Sequence, residues 1–380
     1  MKIGFDAKRA FNNSSGLGNF SRNTINALSH FYPDNQYFLF HSGNSGHLFV
    51  APKNSQELKP QGLWWSNLKN LWRRFRLTGL AKENKLTIFH GLSHELPVGI
   101  ESTGVKTVVT IHDLIFLRYP DFYPAIDRNI YDRKFRHACR IANRIHAISE
   151  QTKQDIIRFF AIPGEKIQVI YQAINPIFFE PASELIRGLV QEKYQLPEKF
   201  LLNVGTVEPR KNVLALLEAM VSAKIEVPLV IVGKPTSYQL QVQSFIESHS
   251  DKLSVLFLTE VTDLELAALY QLAEVMIYPS LFEGFGLPVA EALASGCPVI
   301  TSSTSSLPEA GGDAALLVNP AIPDEIGSAI QSVLNDSALR NSMIEKGKIH
   351  AKKFSPEVFA SQLMQLYNSL LNDRRYKVSN

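Results

Sequence analysis

The chain has 380 residues, 45% of them apolar and 20% charged, with a formal net charge of +3. That length asks for two domains, the composition excludes a disordered polymer, and so small a charge excess gives no case for a nucleic-acid partner. Two cysteines, Cys139 and Cys297, supply neither a disulfide framework nor zinc spacing, which fits a reducing, cytoplasmic compartment.

The first strand is expected at 2–7, KIGFDA, where Asp6 leaves no apolar core for a signal peptide. NNSSGLGNFSRN (12–23) follows, with a helix expected from about Asn19. Gly16 and Gly18 let backbone approach a ligand at that helix N-terminus, as a diphosphate or sugar oxygen would require. A plain strand–turn–helix connection is the alternative. A dinucleotide is disfavoured, because Ser21 stands at the third glycine position of the fingerprint. The second strand, QYFLFHS (36–42), also ends without the acid that a dinucleotide site needs.

LWWSNLKNLWRRFRLTGLAK (63–82) holds Trp64, Trp65, Trp72 and Phe75 among Lys69, Arg73, Arg74, Arg76 and Lys82, with no acid. It reads either as an interfacial helix on anionic lipid or as a packed helix with solvated cations. No run of about 18 apolar residues occurs anywhere to span a membrane.

Further strands are expected at 87–91, 106–113, 144–149 and 166–171. FHGLSHELP (89–97) contributes His90 and His94, read first as structural. TIHDL (110–114) ends an apolar strand with His112 and Asp113, a polar pair that either faces a site or satisfies loop amides. An imidazole there could donate to a developing charge or relay a proton. Pro176 and Pro181 mark a seam near 171–183.

A second series of strands is expected at 200–206, 228–233, 254–259, 275–280, 297–302 and 315–319. NVGTVEPRKNVLALLEAM (203–220) places Arg210 and Lys211 at or near the first turn of a helix. Cations oppose the dipole there unless an anion sits between them, and an arginine fork beside a lysine suits phosphate. YPSLFEGFGLP then leads into PVAEALAS, with Pro288 at the first helical position and Glu291 about one turn in. Dipole placement could explain Glu291 but leaves Glu283, on the loop before it, without a role. The hydroxyl-rich stretch 301–320 is a site loop or a connector. A last helix is expected over 355–371, opened by Ser-Pro-Glu.

Alternating strands and helices in two series predict an α/β protein of two doubly wound domains. Ligands would bind at the carboxyl ends of the strands, in a cleft between the two sheets.

EGFGLPVAEALASGCPVI resembles the signature of two glutamates eight positions apart in the retaining nucleotide-sugar glycosyltransferases of family 4, which have the GT-B fold. GTVEPRKN, TIHDL, AISEQTKQDI (147–156), SSLPEAGGDAALLVNP and the GLGNF loop resemble family stretches in the same order, so the resemblance covers nearly the whole chain. It implies an acceptor-side domain over 1–180, a nucleotide-sugar domain over 181–354, and a helix over 355–380 returning to the first.

By the same resemblance Arg210 and Lys211 neutralise the donor diphosphate, Glu291 holds the ribose hydroxyls and Glu283 stands beside the donor sugar. Phe285, Gly286 and Leu287 offer amides to sugar or phosphate, and His112 lies near the reacting face. Gly16 and Gly18 match the loop over the diphosphate. Many members carry arginine where this chain has Thr206, and Arg210 is expected to take over that charge.

The implied reaction moves a hexose from a nucleoside-diphosphate sugar, with GDP-mannose preferred, to an acceptor hydroxyl of a glycan or lipid-linked glycan in surface-polysaccharide synthesis. No cofactor or metal is expected, because the chain has no D-x-D clamp. Lys211→Ala is expected to lower turnover by about 10²–10³ with folding unaffected. The competing readings are a sugar-nucleotide epimerase or a phosphorylase on the same architecture, and a non-catalytic sugar-nucleotide-binding protein.

Overall fold

The computed structural model describes residues 1–42, 48–60 and 71–372. The chain divides into two compact units. One comprises Met1–Ala173 and the chain from Pro356 onward; the other is Ile174–Ser355.

In the first unit the short apolar runs become strands β1 (Lys2–Asp6), β2 (Gln36–Phe40), β3 (Ser55–Leu58), β4 (Ile88–Gly91), β5 (Lys106–Ile111), β6 (Arg144–Ala147) and β7 (Ile167–Val169). They form one parallel sheet in the order β3-β2-β1-β4-β5-β6-β7. The central strands β4 and β5 are buried almost throughout, as a sheet covered on both faces requires. Only β3 has no counterpart in the sequence reading. Its SQEL is a half-buried edge strand without an apolar run, so periodicity has nothing to report there.

The second unit repeats the design with β8 (Leu201–Val204), β9 (Leu229–Val232), β10 (Val255–Leu258), β11 (Val275–Tyr278), β12 (Val299–Ser302) and β13 (Leu316–Val318). Its order, β10-β9-β8-β11-β12-β13, is all parallel and doubly wound. In both sheets the winding reverses beside the first strand, at β1/β4 and at β8/β11. These are the switch points where ligands of such sheets bind.

The last helix, Pro356–Asn372, belongs to the first unit and buries Phe359, Leu363, Leu366, Tyr367 and Leu370 there. Each large apolar side chain so buried contributes about 1.5–3 kcal/mol. Beneath it runs a buried polar chain. His90 Nδ1 is 2.6 Å from the Tyr367 hydroxyl and His90 Nε2 is 2.8 Å from Thr110 Oγ1. Thr110 Oγ1 is in turn 3.1 Å from His146 Nδ1, and His146 Nε2 is 2.7 Å from the Ile170 carbonyl. The structural reading of His90 therefore holds.

The described part of the basic aromatic stretch 63–82 is divided between core and surface. Residues 61–70, including Trp64, Trp65 and Lys69, lie outside the described residues. Trp72–Arg76 form a π-helical turn that continues into the helix Leu77–Glu83. Trp72 is only 2% exposed and packs in the core with Leu77 and Ala81. Arg73 turns to Asp6 and Glu95, and Arg76 pairs with Glu83. Trp72 and Arg73 thus do not face lipid, because a core site and two carboxylates claim them. Leu71 and Phe75 do point outward. No helix among the described residues is long and apolar enough to cross a membrane.

Candidate active site

The second unit builds its site at the carboxyl ends of β8 and β11. Gly205 leaves β8 at φ +149°, a backbone conformation glycine tolerates best. At the end of β9, a Cβ on Gly233 would lie 1.8 Å from the Gly205 carbonyl oxygen. Close approach of two backbones thus fixes the floor of the loop.

Pro209–Lys211 make a 3-10 turn, Asn212 takes a left-handed conformation, and only then does the helix Val213–Ser222 begin. Arg210 and Lys211 therefore precede the helix rather than occupy its first turn. The Asn212 amide donates to the carbonyls of Pro279 and Pro320, and the Leu281 amide donates to Arg210 O. These bonds lock the basic turn onto the loop that carries Glu283.

Both cations converge on that carboxylate. Lys211 Nζ lies 2.6 Å, and an Arg210 guanidinium nitrogen 2.8 Å, from Glu283 Oε1. Arg210 also donates to the Phe282 carbonyl and pairs with Glu208. The Tyr278 hydroxyl accepts from Lys211 at 2.6 Å and donates to Glu283 at 3.1 Å. Ser305, itself left-handed at φ +57°, accepts the Glu283 amide, and Ser306 donates to the carbonyls of Glu283 and Phe285.

Burial alone would raise the Glu283 carboxyl, but Lys211 and Arg210 outweigh it and hold it at about 2. Burial would likewise discharge Lys211, yet Glu283 keeps it charged and above its ordinary value. Burial and the charge of Glu283 push the Tyr278 phenol up to about 12. The group is a fixed, ionised cluster of two cations and two carboxylates, with Glu283 shared by both cations and Glu208 paired with Arg210 alone.

Glu291 sits apart from that cluster, on the helix Leu287–Ala294. The Tyr270 hydroxyl donates to its carboxylate at 3.3 Å. Burial, and after it the charge of Asp263, pushes its carboxyl up to about 8. Gly286 caps this helix at φ +115°, and a Cβ there would meet Leu307 at 2.8 Å. Leu287 is the first helical residue, so Pro288 stands second rather than first. Phe285 is buried edge-on against Phe354. Thr206 lies on the loop just past Gly205.

The remaining candidates lie in the first unit. His112 follows β5, is 5% exposed, and sends Nε2–H to the Leu92 carbonyl at 2.9 Å. Burial drives its imidazole down to about 4, so it is neutral at physiological pH. The helix expected from Asn19 starts at Gly16. A Cβ on Gly18 would strike the Asn13 carbonyl at 1.8 Å, whereas one on Gly16 would meet nothing within 4 Å. The chain's own loop thus accounts for Gly18.

Tyr278, Ser305 and Tyr270 escaped the sequence reading. Tyr278 was hidden as the last residue of an apolar strand, and only its strand-end position could have signalled it.

Two family models match the chain: "Glycosyltransferase Family 4" over residues 37–177 and "Glycosyl transferases group 1" over 190–350. O-antigen chain mannosyltransferase B of Escherichia coli is 32% identical over 295 residues, 76% of each protein. Sucrose-phosphate synthase from Thermosynechococcus elongatus superposes with a TM-score of 0.75 at 20% identity, over 98% of this chain and 99% of that one. HepE of Anabaena, solved in complex with UDP, gives 0.73 at 15% identity over 97% and 100%. The two solved structures share the GT-B architecture of two doubly wound domains. The chain belongs to the group 1 glycosyltransferases of family 4.

Proposed function

We propose that the protein transfers a hexose, with mannose from GDP-mannose as the preferred donor, to a hydroxyl of a glycan or lipid-linked glycan during surface-polysaccharide synthesis, with retention at the anomeric carbon. The observation that carries the reading is the convergence of Arg210 and Lys211 on Glu283 at the switch point of the second sheet. The name of the Escherichia coli relative supports mannose as the sugar.

In this reading the leaving diphosphate gains negative charge as the sugar becomes oxocarbenium-like. Arg210, Lys211 and the amides of Phe285, Gly286 and Leu287 meet that charge. Arg210 and Lys211 offer charged hydrogen-bond donors to the diphosphate within the chain itself, so we propose turnover without a metal. Full activity in EDTA would agree with this, and activity restored only by a divalent cation would overturn it.

Glu291 accepts the ribose hydroxyls and Glu283 those of the donor sugar. Attack comes from the leaving-group side, and the departing phosphate takes the acceptor proton. His112, neutral, donates no charge of its own and positions the sugar. The family resemblance assigns Gly16 and Gly18 to the diphosphate, and Thr206 lies on the loop just past Gly205. A trapped glycosyl-enzyme adduct would contradict front-side attack.

We further propose peripheral contact with anionic membrane on the cytoplasmic side, carried by the outward Leu71, Phe75 and Lys82. Flotation with liposomes of anionic lipid tests it.

The deciding experiment incubates the protein with GDP-mannose and a panel of UDP-sugars, with and without a mannan oligosaccharide, and measures nucleotide release and product anomer by NMR. Acceptor-dependent GDP release with an α-linked product supports the reading. Binding without release under every condition favours a non-catalytic protein.

A further inference from the structure

The first unit carries a second concentration of charge, apart from Arg210 and Lys211. Arg73 binds Asp6 at 2.7 Å and Glu95 at 2.9 Å, and Lys134 reaches Glu95 at 3.1 Å. Both acids are thereby consumed. Lys8 and Arg9, directly beyond β1, have no ion-pair partner among the described residues. Of four cations around two acids, only Arg73 and Lys134 are paired. Burial lowers Lys8, and the charges of Arg73 and Arg9 lower it further, outweighing what Asp6 and Glu95 return.

The location is specific. Lys8 and Arg9 follow β1, while His94 and Glu95 follow β4, so they flank the switch point of the first sheet.

His94 is the second, independent feature. It is 7% exposed, and its Nδ1 is buried with no hydrogen-bond partner. Its backbone is held at φ +64°, uncommon for a residue with a side chain. Its ring stacks on Phe135 with centroids 4.2 Å apart and meets His112 edge-on at 5.0 Å. A strained backbone and an unsatisfied imidazole beside His112 are the marks of a residue placed for a ligand.

We propose that Lys8 and Arg9, with His94 beside them, form an anion subsite that takes a phosphate or diphosphate group carried by the acceptor. The subsite rests on the transferase reading for its purpose, but on its own residues for binding. Its cations are not those of the donor site. It selects a phosphorylated acceptor, either a lipid-linked diphosphate or a soluble sugar phosphate.

The test uses the full chain with its donor site saturated by GDP, and titrates inorganic pyrophosphate by calorimetry. One further site is expected. The double variant Lys8→Gln/Arg9→Gln weakens it by about 10-fold to 100-fold, the scale of lost charged hydrogen bonds, with GDP affinity and melting temperature unchanged. His94→Asn tolerates the left-handed backbone and also weakens the site; unchanged affinity would remove His94 from it.

No pyrophosphate site beyond the one GDP occupies, or equal affinity in the double variant, overturns the proposal. If GDP does not bind while the Lys8/Arg9-dependent site does, the nucleotide-sugar reading falls and the anion site stands. Displacement of pyrophosphate by farnesyl diphosphate assigns a lipid-linked acceptor, and displacement by mannose 1-phosphate assigns a soluble one. Displacement by neither overturns the assignment to an acceptor.

Discussion

Lys211 Nζ lies 2.6 Å from Glu283 Oε1, and both side chains are nearly buried. This pair changes what a substitution at Lys211 should do. Removing one member of a buried pair leaves the other charge desolvated, at a cost of ~3–5 kcal/mol, and here Arg210 offsets part of it. Lys211→Ala should therefore lose stability as well as about 10²–10³ in turnover. The double variant Lys211→Ala/Glu283→Ala should recover part of the stability and none of the activity. Urea midpoints beside turnover numbers check this. Wild-type turnover in Lys211→Ala would sink its assignment to the diphosphate.

Glu291 shows the opposite electrostatics. With its folded carboxyl raised to about 8 and an unfolded value near 4.3, the folded state holds the extra proton between those pH values. Stability falls as pH rises through that window. Glu291→Gln should raise the melting temperature more at pH 8.5 than at pH 5. If ionised Glu291 grips ribose hydroxyls, GDP affinity should increase between pH 6.5 and 8.5, and the glutamine variant should flatten that rise. Equal slopes in both proteins would remove Glu291 from the nucleoside site.

The floor of the basic loop gives a third prediction. Gly233→Ala would press a methyl carbon into the Gly205 carbonyl, a backbone atom that cannot step aside as a side-chain tip can. We expect a loss of at least about 3 kcal/mol. If the variant still folds, Lys211, whose stem passes 3.5 Å from the Cβ position of Gly205, should be misplaced and GDP binding weakened. A wild-type melting temperature would show that the loop yields.

Much of this was legible in the sequence, for physical reasons particular to each element. Buried parallel strands such as VMIY and LVIV must be continuously apolar, so they announce themselves. The edge strand SQEL buries little and does not. Arg210, Lys211, Glu283 and Glu291 stood out because charges beside glycine turns at strand ends are costly without a purpose. Their grouping was not legible, since no spacing says that Glu283 pairs with Lys211 while Glu291 turns to Tyr270. Trp72 misled because an aromatic among cations looks interfacial until its packing partners are known.

The polar chain beneath the last helix has only one consistent proton order. The Ile170 carbonyl can only accept, so His146 donates from Nε2 and accepts at Nδ1 from the Thr110 hydroxyl. His90 must then donate from Nε2 to Thr110, and Tyr367 must donate to His90 Nδ1. Tyr367→Phe leaves that nitrogen buried without a donor and should cost about 1–3 kcal/mol. Burial depresses both histidines, His146 to about 4, whereas in the unfolded chain they titrate near 6.5. From pH 6.5 down toward 4 the unfolded state binds more protons, so stability falls with pH across that range. Urea midpoints measured from pH 7.5 to 4.5 should decline, and His146→Gln should make the decline shallower while lowering stability at pH 7.5. Tyr367→Phe, which removes a donor and no titrating imidazole, should shift the whole curve down and keep its slope. An acid slope equal in wild type and His146→Gln would mean that this chain does not set the acid limit of the fold.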